Sequence, residues 1–297
     1  MGHMGNLRVP AVRISDAELD RLIAEDVPYL DLTTHVLQIG GAFGEMEYFT
    51  REGCVLCGTE EARRIAERLG CEVAWSKPSG TELAPAESFM LLRGSAEDLH
   101  ATWKVCLNLF DHLSAVATKT RSMVDAAHAV DPHVEVLTTR KSQPGVKSLL
   151  TKAVLTGGAF PHRLGLSETV LVFEQHIEFM GGFEAFVRAL PEIRSRVVEK
   201  KLFVECSAEQ ARVLAAAGVD GVQLDKATPE QARDLVAELK ARDPHLTVIA
   251  AGGINPSNVA AYAAAGLDGL VTTAPFTAKP IDMSVRMRRT GALEPRA

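Results

Sequence analysis

Two ten-residue segments of this chain share six residues and lie 48 residues apart: AAAGVDGVQL at 215–224 and AAAGLDGLVT at 263–272. Each copy has the pattern of a helix end, a glycine turn and the start of an apolar strand, which together form one β/α unit. Consecutive β/α units pair their strands in parallel through right-handed crossovers. The repeat therefore favours a barrel with its helices outside over a mixed sheet.

The same alternation runs through the second half of the chain. Six short runs have the apolar composition of strands: 134–139, 169–173, 202–205, 222–225, 247–250 and 270–273. Five helical patterns lie among them: 145–156, 183–199, 207–217, 229–242 and 256–265. Six strands are fewer than the eight of the commonest α/β barrel.

The first third of the chain mixes helices and strands. Ser15 and Glu18 form a capping box that predicts a helix to about residue 25. A long apolar-periodic helix is predicted from about Lys104 towards residue 129, where Asp131-Pro132 breaks it. Three short apolar runs predict strands: 52–57, 71–75 and 89–92. This region is expected to form a helix-decorated sheet domain.

Composition excludes several classes of function. The formal net charge is −6 and the pI is about 5.9, so we expect no nucleic-acid partner. No apolar segment approaches the roughly 20 residues that span a bilayer, so no membrane association is expected. The five cysteines are scattered, and Cys54-x-x-Cys57 has no second pair at zinc-ligand spacing. We interpret that pair as a buried strand and expect a reducing, cytoplasmic location.

Polar residues and glycines follow each of the six predicted strands. Ligands of parallel β/α folds bind at these carboxyl ends. Arg140 and Lys141 follow the first strand, and His162 and Arg163 lie one predicted helix later. Arginine offers a planar fork for carboxylates and phosphates, and lysine adds a point charge. In a chain of net negative charge, this cluster predicts a site for a small, multiply anionic ligand.

Two acids and a glycine pair complete the predicted site. Glu205 and Asp225 end neighbouring strands, so their carboxylates can converge on Mg²⁺ together with phosphate oxygens. Gly252 and Gly253 precede a helix predicted to start near Pro256, an arrangement typical of a phosphate-binding turn. Basic groups, acids and a phosphate turn together indicate transfer at a phosphorylated sugar, with pyrophosphate as the departing group.

At these residues the chain resembles the quinolinate phosphoribosyltransferase (nicotinate-nucleotide pyrophosphorylase) family. The resemblance covers nearly the whole chain and rests on these motifs: EDVPYLDLTT, WKVCLNLFDHLSAVAT, TTRKSQPG, KAVLTGGAFPHRLGL, LFVE, VQLD and AAGGIN. Within the family, HRLGLSETVLVFEQH is most similar to the ModD branch, pyrophosphorylases associated with molybdate-transport genes.

The resemblance implies an α/β fold of two domains. The first, at 7–107, is an α/β sandwich that the polar tail 279–297 is a candidate to rejoin, and the second, at 108–278, is an open six-stranded α/β barrel. It also implies a homodimer in which one subunit's first domain covers the partner's barrel. The implied reaction moves phosphoribosyl from phosphoribosyl pyrophosphate (PRPP) to an aromatic carboxylate, releases pyrophosphate and uses Mg²⁺.

The family's motifs also imply roles for individual residues. The acceptor's carboxylates would be bound by the basic groups between the first and second predicted strands: Arg140, Lys141, His162 and Arg163. Lys104 stands where the family has an arginine that reaches across the dimer, so it would act in the partner's site. The metal would bind Glu205 and Asp225, which are the expected catalytic residues together with Lys141. The phosphates would bind Gly252, Gly253 and Thr273.

The chain departs from the family pattern beside the acceptor. Where the family has a lysine in a pattern like LIKDNH, this chain has LVFEQH, which places Phe173 at the lysine position. A carboxylate buried beside Phe173 without a partner would be costly. Ala251 stands in place of a serine in the phosphate loop, and Lys226 in place of an asparagine. We therefore expect an acceptor other than quinolinate, with Phe173 as part of its binding site.

Two other functions remain open from the sequence. One is a non-catalytic protein that binds an anion, such as an oxyanion linked to molybdate transport, in the same pocket. The other is a barrel lyase or isomerase that acts on a phosphosugar through a Schiff base on Lys141.

Overall fold

The computed structural model describes residues 12–291, which divide into two compact units. The described part of the first unit comprises 12–121, 143–158 and 277–291, and the second comprises 122–142 and 159–276. Both units contain helices and sheet, so the predicted α/β class is confirmed. The division into domains at 7–107 and 108–278 stays a prediction, and its outermost residues, 7–11 and 292–297, lie outside the described part.

Helices and strands alternate along most of the chain. The helices are α1 (Asp16–Asp26), α2 (Leu32–Val36), α3 (Thr59–Arg68), α4 (Ala96–His128), α5 (Lys147–Thr156), α6 (Glu174–Phe179), α7 (Phe183–Ser195), α8 (Ala208–Ala216), α9 (Pro229–Arg242) and α10 (Val259–Ala263). The strands of the first unit are β1 (Phe43–Thr50), β2 (Cys54–Val55), β3 (Glu72–Ser76), β4 (Glu82–Leu83), β5 (Ser88–Ser95) and β13 (Met283–Arg289). Those of the second unit are β6 (Glu135–Thr138), β7 (Phe160–Pro161), β8 (Val170–Val172), β9 (Leu202–Cys206), β10 (Gly221–Asp225), β11 (Thr247–Ala251) and β12 (Gly269–Thr272).

The first unit is built on a four-stranded antiparallel sheet with the order β13-β1-β5-β3. The tail of the chain supplies β13, which pairs along the whole of β1. Behind this sheet, the rings of Tyr48, Phe89 and Phe110 form a fully buried cluster with centroid separations of 4.9–6.2 Å. Edge-to-face contacts at these distances suit the quadrupoles of aromatic rings.

The predicted capping box at the start of α1 is confirmed. The backbone N–H of Glu18 donates to Ser15 Oγ at 3.3 Å, and Glu18 Oε2 accepts from the Ser15 N–H at 3.0 Å. Two N–H groups that would otherwise lack intrahelical partners are thereby satisfied. The predicted long helix is also present as α4, although it begins at Ala96 rather than near Lys104.

A buried ionic network lies in the first unit. Lys152 on α5 projects inward, with its side chain only 9% exposed, and its ammonium donates to Glu60 Oε2 at 2.6 Å and also to Glu61. The Glu61 side chain is 4% exposed, whereas that of Glu60 is 49% exposed. Lysines and glutamates are almost never buried unless they are paired, so this contact holds α5 against α3.

The second unit is a seven-stranded parallel sheet with the order β7-β6-β12-β11-β10-β9-β8. All six strands predicted from the sequence are present. The seventh is β7, which has two residues and pairs with the outer side of β6. Within the described chain, no pairing joins β7 to β8, so the sheet forms an open barrel.

Apolar side chains fill one face of this sheet. The residues at alternate positions of five strands form its core: Leu137, Leu171, Phe203, Ile249, Ala251 and Val271. We call this the inner face. Gly221 lies beneath the Phe203 ring, and a Cβ there would be 2.3 Å from a ring carbon. Glycine at this point is required by the close approach of the ring.

The internal repeat has a structural explanation. Its two copies supply the α8–β10 and α10–β12 units. The aspartate of each copy accepts a backbone hydrogen bond at 2.7 Å from the neighbouring strand: Asp220 from Leu202 and Asp268 from Val248. Each aspartate also pairs with a cation from a preceding helix, Arg194 or Lys240. The repeated residues therefore fix the amino ends of two strands.

The predicted helix at 256–265 is wrong in its extent. Only Val259–Ala263 is α-helical, because Asn255 and Asn258 tie the preceding residues into a turn. Among the described residues, no helix is long and apolar enough to cross a membrane.

Candidate active site

The carboxyl ends of the parallel strands form one edge of the second unit, which we call the barrel mouth. Side chains two residues apart on a strand share a face. Continuing the inner face by two residues therefore leads from Leu171 to Phe173 and from Phe203 to Glu205. The same step leads along β10 from Gln223, which pairs in register with Glu205, to Asp225. The alternation of the strands thus brings the predicted acids and Phe173 to the inner side of the barrel mouth.

Hydroxyl groups join two neighbouring strands, β6 and β12, at the mouth. Thr139 and Thr273 follow β6 and β12, and their Oγ1 atoms are 2.8 Å apart. The Thr139 Oγ1 also accepts from the backbone N–H of Lys141 at 3.2 Å. These bonds fix the start of the loop that carries Arg140 and Lys141, both of which are exposed.

A stack of rings and a guanidinium forms one wall of the mouth. Phe173 packs against the inner-face core, and the Arg163 guanidinium carbon lies 5.6 Å from its ring centroid. The His176 ring stacks on Phe173 with a centroid distance of 5.8 Å, and its Nδ1 accepts from the Phe173 backbone N–H at 2.9 Å. His162 lies edge-on to the Phe203 ring at 6.4 Å. The Arg163 guanidinium thus lies over the face of the Phe173 ring within the range of a cation–π contact, which orients the guanidinium.

The electrostatics of the basic group favour an anion. Burial lowers the pKa of His162, and the neighbouring Arg163 charge lowers it further, so the imidazole is neutral at pH 7. Burial and repulsion from Arg140 lower the pKa of Arg163, although the guanidinium stays charged. Because Arg140 and Arg163 repel each other at the edge of an apolar core, an anion that binds between them lowers their electrostatic energy.

The two acids differ in environment. Burial raises the pKa of Glu205, a hydrogen bond from Gln223 opposes the rise, and the charge of Asp225 adds to it. The Gln223 Nε2 donates to Glu205 Oε2 at 2.5 Å, and Asp225 is more exposed at the rim. Lys141 and Lys226 lie close enough to lower the pKa of Glu205 through their charges.

These acids fit a magnesium ion. A cation would offset both the repulsion between the two carboxylates and the cost of burying the Glu205 charge. Carboxylate oxygens are also the ligands that Mg²⁺ prefers. No group of three or more His, Cys, Asp or Glu side chains within 12–291 is arranged to hold a metal. Glu205 and Asp225 could hold an ion such as Mg²⁺, which usually takes one or two carboxylates and would complete its coordination with phosphate oxygens and water.

The predicted phosphate turn follows β11. Gly252 and Gly253 have φ values of +92° and +77°, a region open mainly to glycine. A Cβ on Gly253 would meet nothing within 4 Å, so this turn is open towards the mouth. The side chains of Asn255 and Asn258 donate to the Gly253 carbonyl at 2.8 and 3.1 Å. Since α10 has only five residues, the turn itself rather than a helix terminus presents the amides.

Lys104 belongs to the first unit. Its side chain is exposed, and its ammonium lies 5.4 Å from the centroid of the Trp103 ring. The other predicted site residues all lie in the second unit.

Gln223 is a polar site residue that the sequence analysis did not select. It is 4% exposed, and its Oε1 has no hydrogen-bond partner among the described residues. A glutamine on the inner side of an otherwise apolar strand, two positions before an acid, was the available signal. Its role is visible only when Glu205 is placed beside it.

Comparison with known proteins identifies the family. The model for the quinolinate phosphoribosyl transferase C-terminal domain matches residues 116–286, and the model for the N-terminal domain matches 31–114. The chain belongs to this family. It is therefore an enzyme of a phosphoribosyltransferase family, within the pentosyltransferases.

Relatives of both branches align over most of the chain. The ModD protein of Rhodobacter capsulatus, which is named a pyrophosphorylase, is 41% identical over 249 residues, covering 83% of this chain and 95% of its own. The human carboxylating nicotinate-nucleotide pyrophosphorylase is 32% identical over 286 residues, covering 95% and 94%. The structure of the nicotinate-nucleotide pyrophosphorylase from Francisella tularensis superposes with a TM-score of 0.84 at 25% identity, covering 93% and 98%.

Proposed function

We propose that this family member transfers phosphoribosyl from PRPP to an aromatic carboxylate other than quinolinate, in a Mg²⁺-dependent reaction that releases pyrophosphate. The observation that carries the proposal is the arrangement at the barrel mouth. A basic group stands beside the Phe173 ring, and Glu205, Asp225 and the open Gly252–Gly253 turn lie on strands of the same mouth.

The basic side supports an anionic aromatic acceptor. Arg163 stacks on Phe173, and its repulsion from Arg140 favours a carboxylate between them. The Phe173 face offers an apolar surface for a flat ring but no hydrogen-bond donor for a second carboxylate. A second buried carboxylate would lose its hydration without a partner. An acceptor with fewer charges than quinolinate therefore suits this wall best.

The acidic side supports a phosphorylated sugar as the donor. Glu205 and Asp225 can accept hydrogen bonds from ribose hydroxyls, and the Gly252–Gly253 turn and Thr273 can bind phosphate oxygens. Lys141, which is within electrostatic reach of Glu205, would hold the acceptor in line with the sugar. Magnesium, when bound, supplies charge that stabilises the departing pyrophosphate.

The proposed assembly is a homodimer in which Lys104 of one subunit enters the partner's site. The exposed ammonium of Lys104, beside Trp103, supports this role. We also propose a cytoplasmic location, since all five cysteines are free and buried.

An acceptor screen tests the proposal directly. The protein is incubated with PRPP, Mg²⁺ and a panel of aromatic mono- and dicarboxylates, and released pyrophosphate is measured. We expect release with at least one monocarboxylate and little with quinolinate. The Asp225→Asn variant should lose turnover. If no acceptor releases pyrophosphate and PRPP does not raise the melting temperature, the proposal fails.

A single variant tests the basis of acceptor choice. Phe173→Lys supplies the cation that a second carboxylate needs, so quinolinate turnover should rise while turnover of the native acceptor falls. Phe173→Leu is the matched control, because it removes the ring without adding charge. Equal quinolinate turnover in both variants would show that this position does not set acceptor choice. A non-catalytic binding protein would be favoured instead if the protein binds an oxyanion tightly, if Asp225→Asn does not weaken that binding, and if no acceptor causes pyrophosphate release.

A further inference from the structure

Lys226 has an unusual backbone conformation at the barrel mouth. It follows Asp225 directly, and its φ of +54° lies in the left-handed region. Only two other non-glycine residues in the described part of the chain, Gln38 and Ala86, share a positive φ. The Lys226 N–H donates to the Ala251 carbonyl at 2.8 Å, which fixes this conformation at the end of the sheet.

This conformation is unfavourable for a side chain that bears a Cβ. Glycine and asparagine adopt the left-handed region more readily than lysine does. Residues that keep such strain concentrate at functional sites, where the side chain is used. The question is therefore what the lysine side chain contributes that glycine or asparagine would not.

The Lys226 side chain lies across the phosphate turn. A Cβ placed on Gly252 would be 2.7 Å from Lys226 Cγ and 3.1 Å from Asp225 Oδ1. Gly252 thus leaves room for the lysine stem and the carboxylate together. The ammonium ends 3.4 Å from Asp225 Oδ2, and the side chain is 80% exposed. The charge is therefore presented to solvent between the acid and the turn.

The position of the ammonium indicates its ligand. The lysine stem lies against Gly252, and a Cβ on the next residue, Gly253, would meet no atom within 4 Å, so there is open space for an anion at the turn next to the lysine. Glu205 lies within electrostatic reach of Lys226, Lys141 and Asp225, which makes a cluster of two acids and two lysines. A lysine ammonium is a point-charge ligand suited to phosphate oxygens.

We propose that Lys226 binds the pyrophosphate group of the donor, with its ammonium placed between Asp225 and the Gly252–Gly253 turn. This inference rests on the proposed function for the identity of the donor. Lys226 supplies positive charge that a metal would otherwise have to provide. Binding of the diphosphate should consequently depend less on Mg²⁺ than it would with a neutral residue at this position.

Calorimetry with inorganic pyrophosphate, and separately with PRPP, tests the assignment in saturating Mg²⁺ and in excess EDTA. The variants are Lys226→Asn, which tolerates the same φ without charge, and Lys226→Arg, which keeps the charge. Lys200→Asn makes the same charge change at an exposed position before β9, at the other end of the strand from the mouth. All four proteins are melted as a check on folding.

We expect Lys226→Asn to weaken pyrophosphate binding in EDTA about tenfold or more, the effect of losing one charged hydrogen bond. The loss should be smaller in Mg²⁺, because the metal screens the same oxygens. Lys226→Arg and Lys200→Asn should bind nearly as the wild type does. The melting temperature of Lys226→Asn should stay the same or rise, because asparagine adopts the left-handed conformation at a lower energetic cost than lysine.

The outcomes separate this inference from the proposed function. If the wild type binds PRPP and Lys226→Asn binds it equally in EDTA, Lys226 is not a ligand and only this inference fails. If pyrophosphate binds in a Lys226-dependent way but PRPP does not bind, the donor assignment fails and the anion site stands. If the wild type binds neither anion, both are overturned.

Discussion

Replacing Lys152 with methionine removes the cation of the buried network and keeps the length of the side chain. The two acids then respond differently. Glu60 is half exposed and can turn to water, so its loss of a partner costs about 0–1 kcal/mol. Glu61 is 4% exposed and is left as a buried carboxylate without its cation. Breaking a buried pair in this way costs roughly 3–5 kcal/mol.

Tryptophan fluorescence during urea unfolding measures this loss selectively. Both tryptophans, Trp75 and Trp103, lie in the first unit, as does Lys152. With an m value of about 2 kcal/mol/M, the transition of Lys152→Met should shift to lower urea by roughly 2 M. Lys147→Met is the control, because it makes the same change at an exposed position of α5 and should cost no more than about 0.5 kcal/mol.

A double variant decides whether the buried charge is the cause. Adding Glu61→Gln to Lys152→Met removes that charge, so most of the lost stability should return despite the second substitution. The reasoning is refuted if Lys152→Met is no less stable than Lys147→Met. It is refuted equally if the double variant is less stable than Lys152→Met alone, because packing rather than charge would then explain the loss.

Three further predictions concern other parts of the fold. Burial raises the pKa of Asp111 to about 6 from an ordinary 3.8, so the fold loses stability as the pH rises from 3.8 to 6, and the loss is complete above pH 6. Asp111→Asn should therefore add about 1–2 kcal/mol at pH 8, allowing for partial exposure, and little near pH 4, as measured by urea titration. Burial is the largest single influence on Glu60 and opposes its ionisation, but the hydrogen bonds from Lys152 and Ser79 and the charge of Lys152 together outweigh it and lower the pKa from 4.5 to about 2. Its contribution is therefore complete above pH 4.5 and is lost as the pH falls towards 2, and Glu60→Gln should flatten acid unfolding in that window, whereas an unchanged slope would contradict the assignment. Gly221→Ala places a Cβ 2.3 Å from the Phe203 ring and should cost about 1–3 kcal/mol by far-UV circular dichroism, part of which Phe203→Leu should restore if the clash is the cause.

The barrel was predictable because its signals are local. Each strand is a short apolar run, each helix follows within a few residues, and the acids stand at strand ends that the pattern itself defines. The period of two along a strand also fixes that Glu205 shares a face with Phe203. No knowledge of distant contacts is needed for these steps, which is why all six predicted strands are present.

The first unit was harder because its contacts are distant in sequence. β1 pairs with β13, so Glu45 lies opposite Arg288 across more than 200 residues of chain. The predicted apolar runs do not include β1, and the polar composition of the tail predicts no strand. Only the family resemblance makes the tail a candidate to rejoin the first domain. The burial of Lys152 could not be predicted for the same reason. A lysine in a helix is normally solvent-exposed, and nothing near it in sequence indicates that Glu61 is its buried partner.

The strand-end positions of the candidate site residues were predictable, and the contacts among their side chains were not. The sequence places Phe173 at a strand end, but only the structure shows Arg163 over its ring and His176 stacked on it. The late start of α10 was also not predictable. The side chains of Asn255 and Asn258 donate to the Gly253 carbonyl and hold the preceding residues in a turn, and such bonds leave no mark on the apolar pattern.

The open sheet of the second unit leaves two edges, and both are very short. β7 has two residues and β8 has three. A free edge is a template on which a foreign strand can add, and its hazard grows with the number of unpaired backbone groups it offers in a row. These edges offer too few to nucleate such an addition. The barrel can therefore stay unclosed without becoming a seed for aggregation.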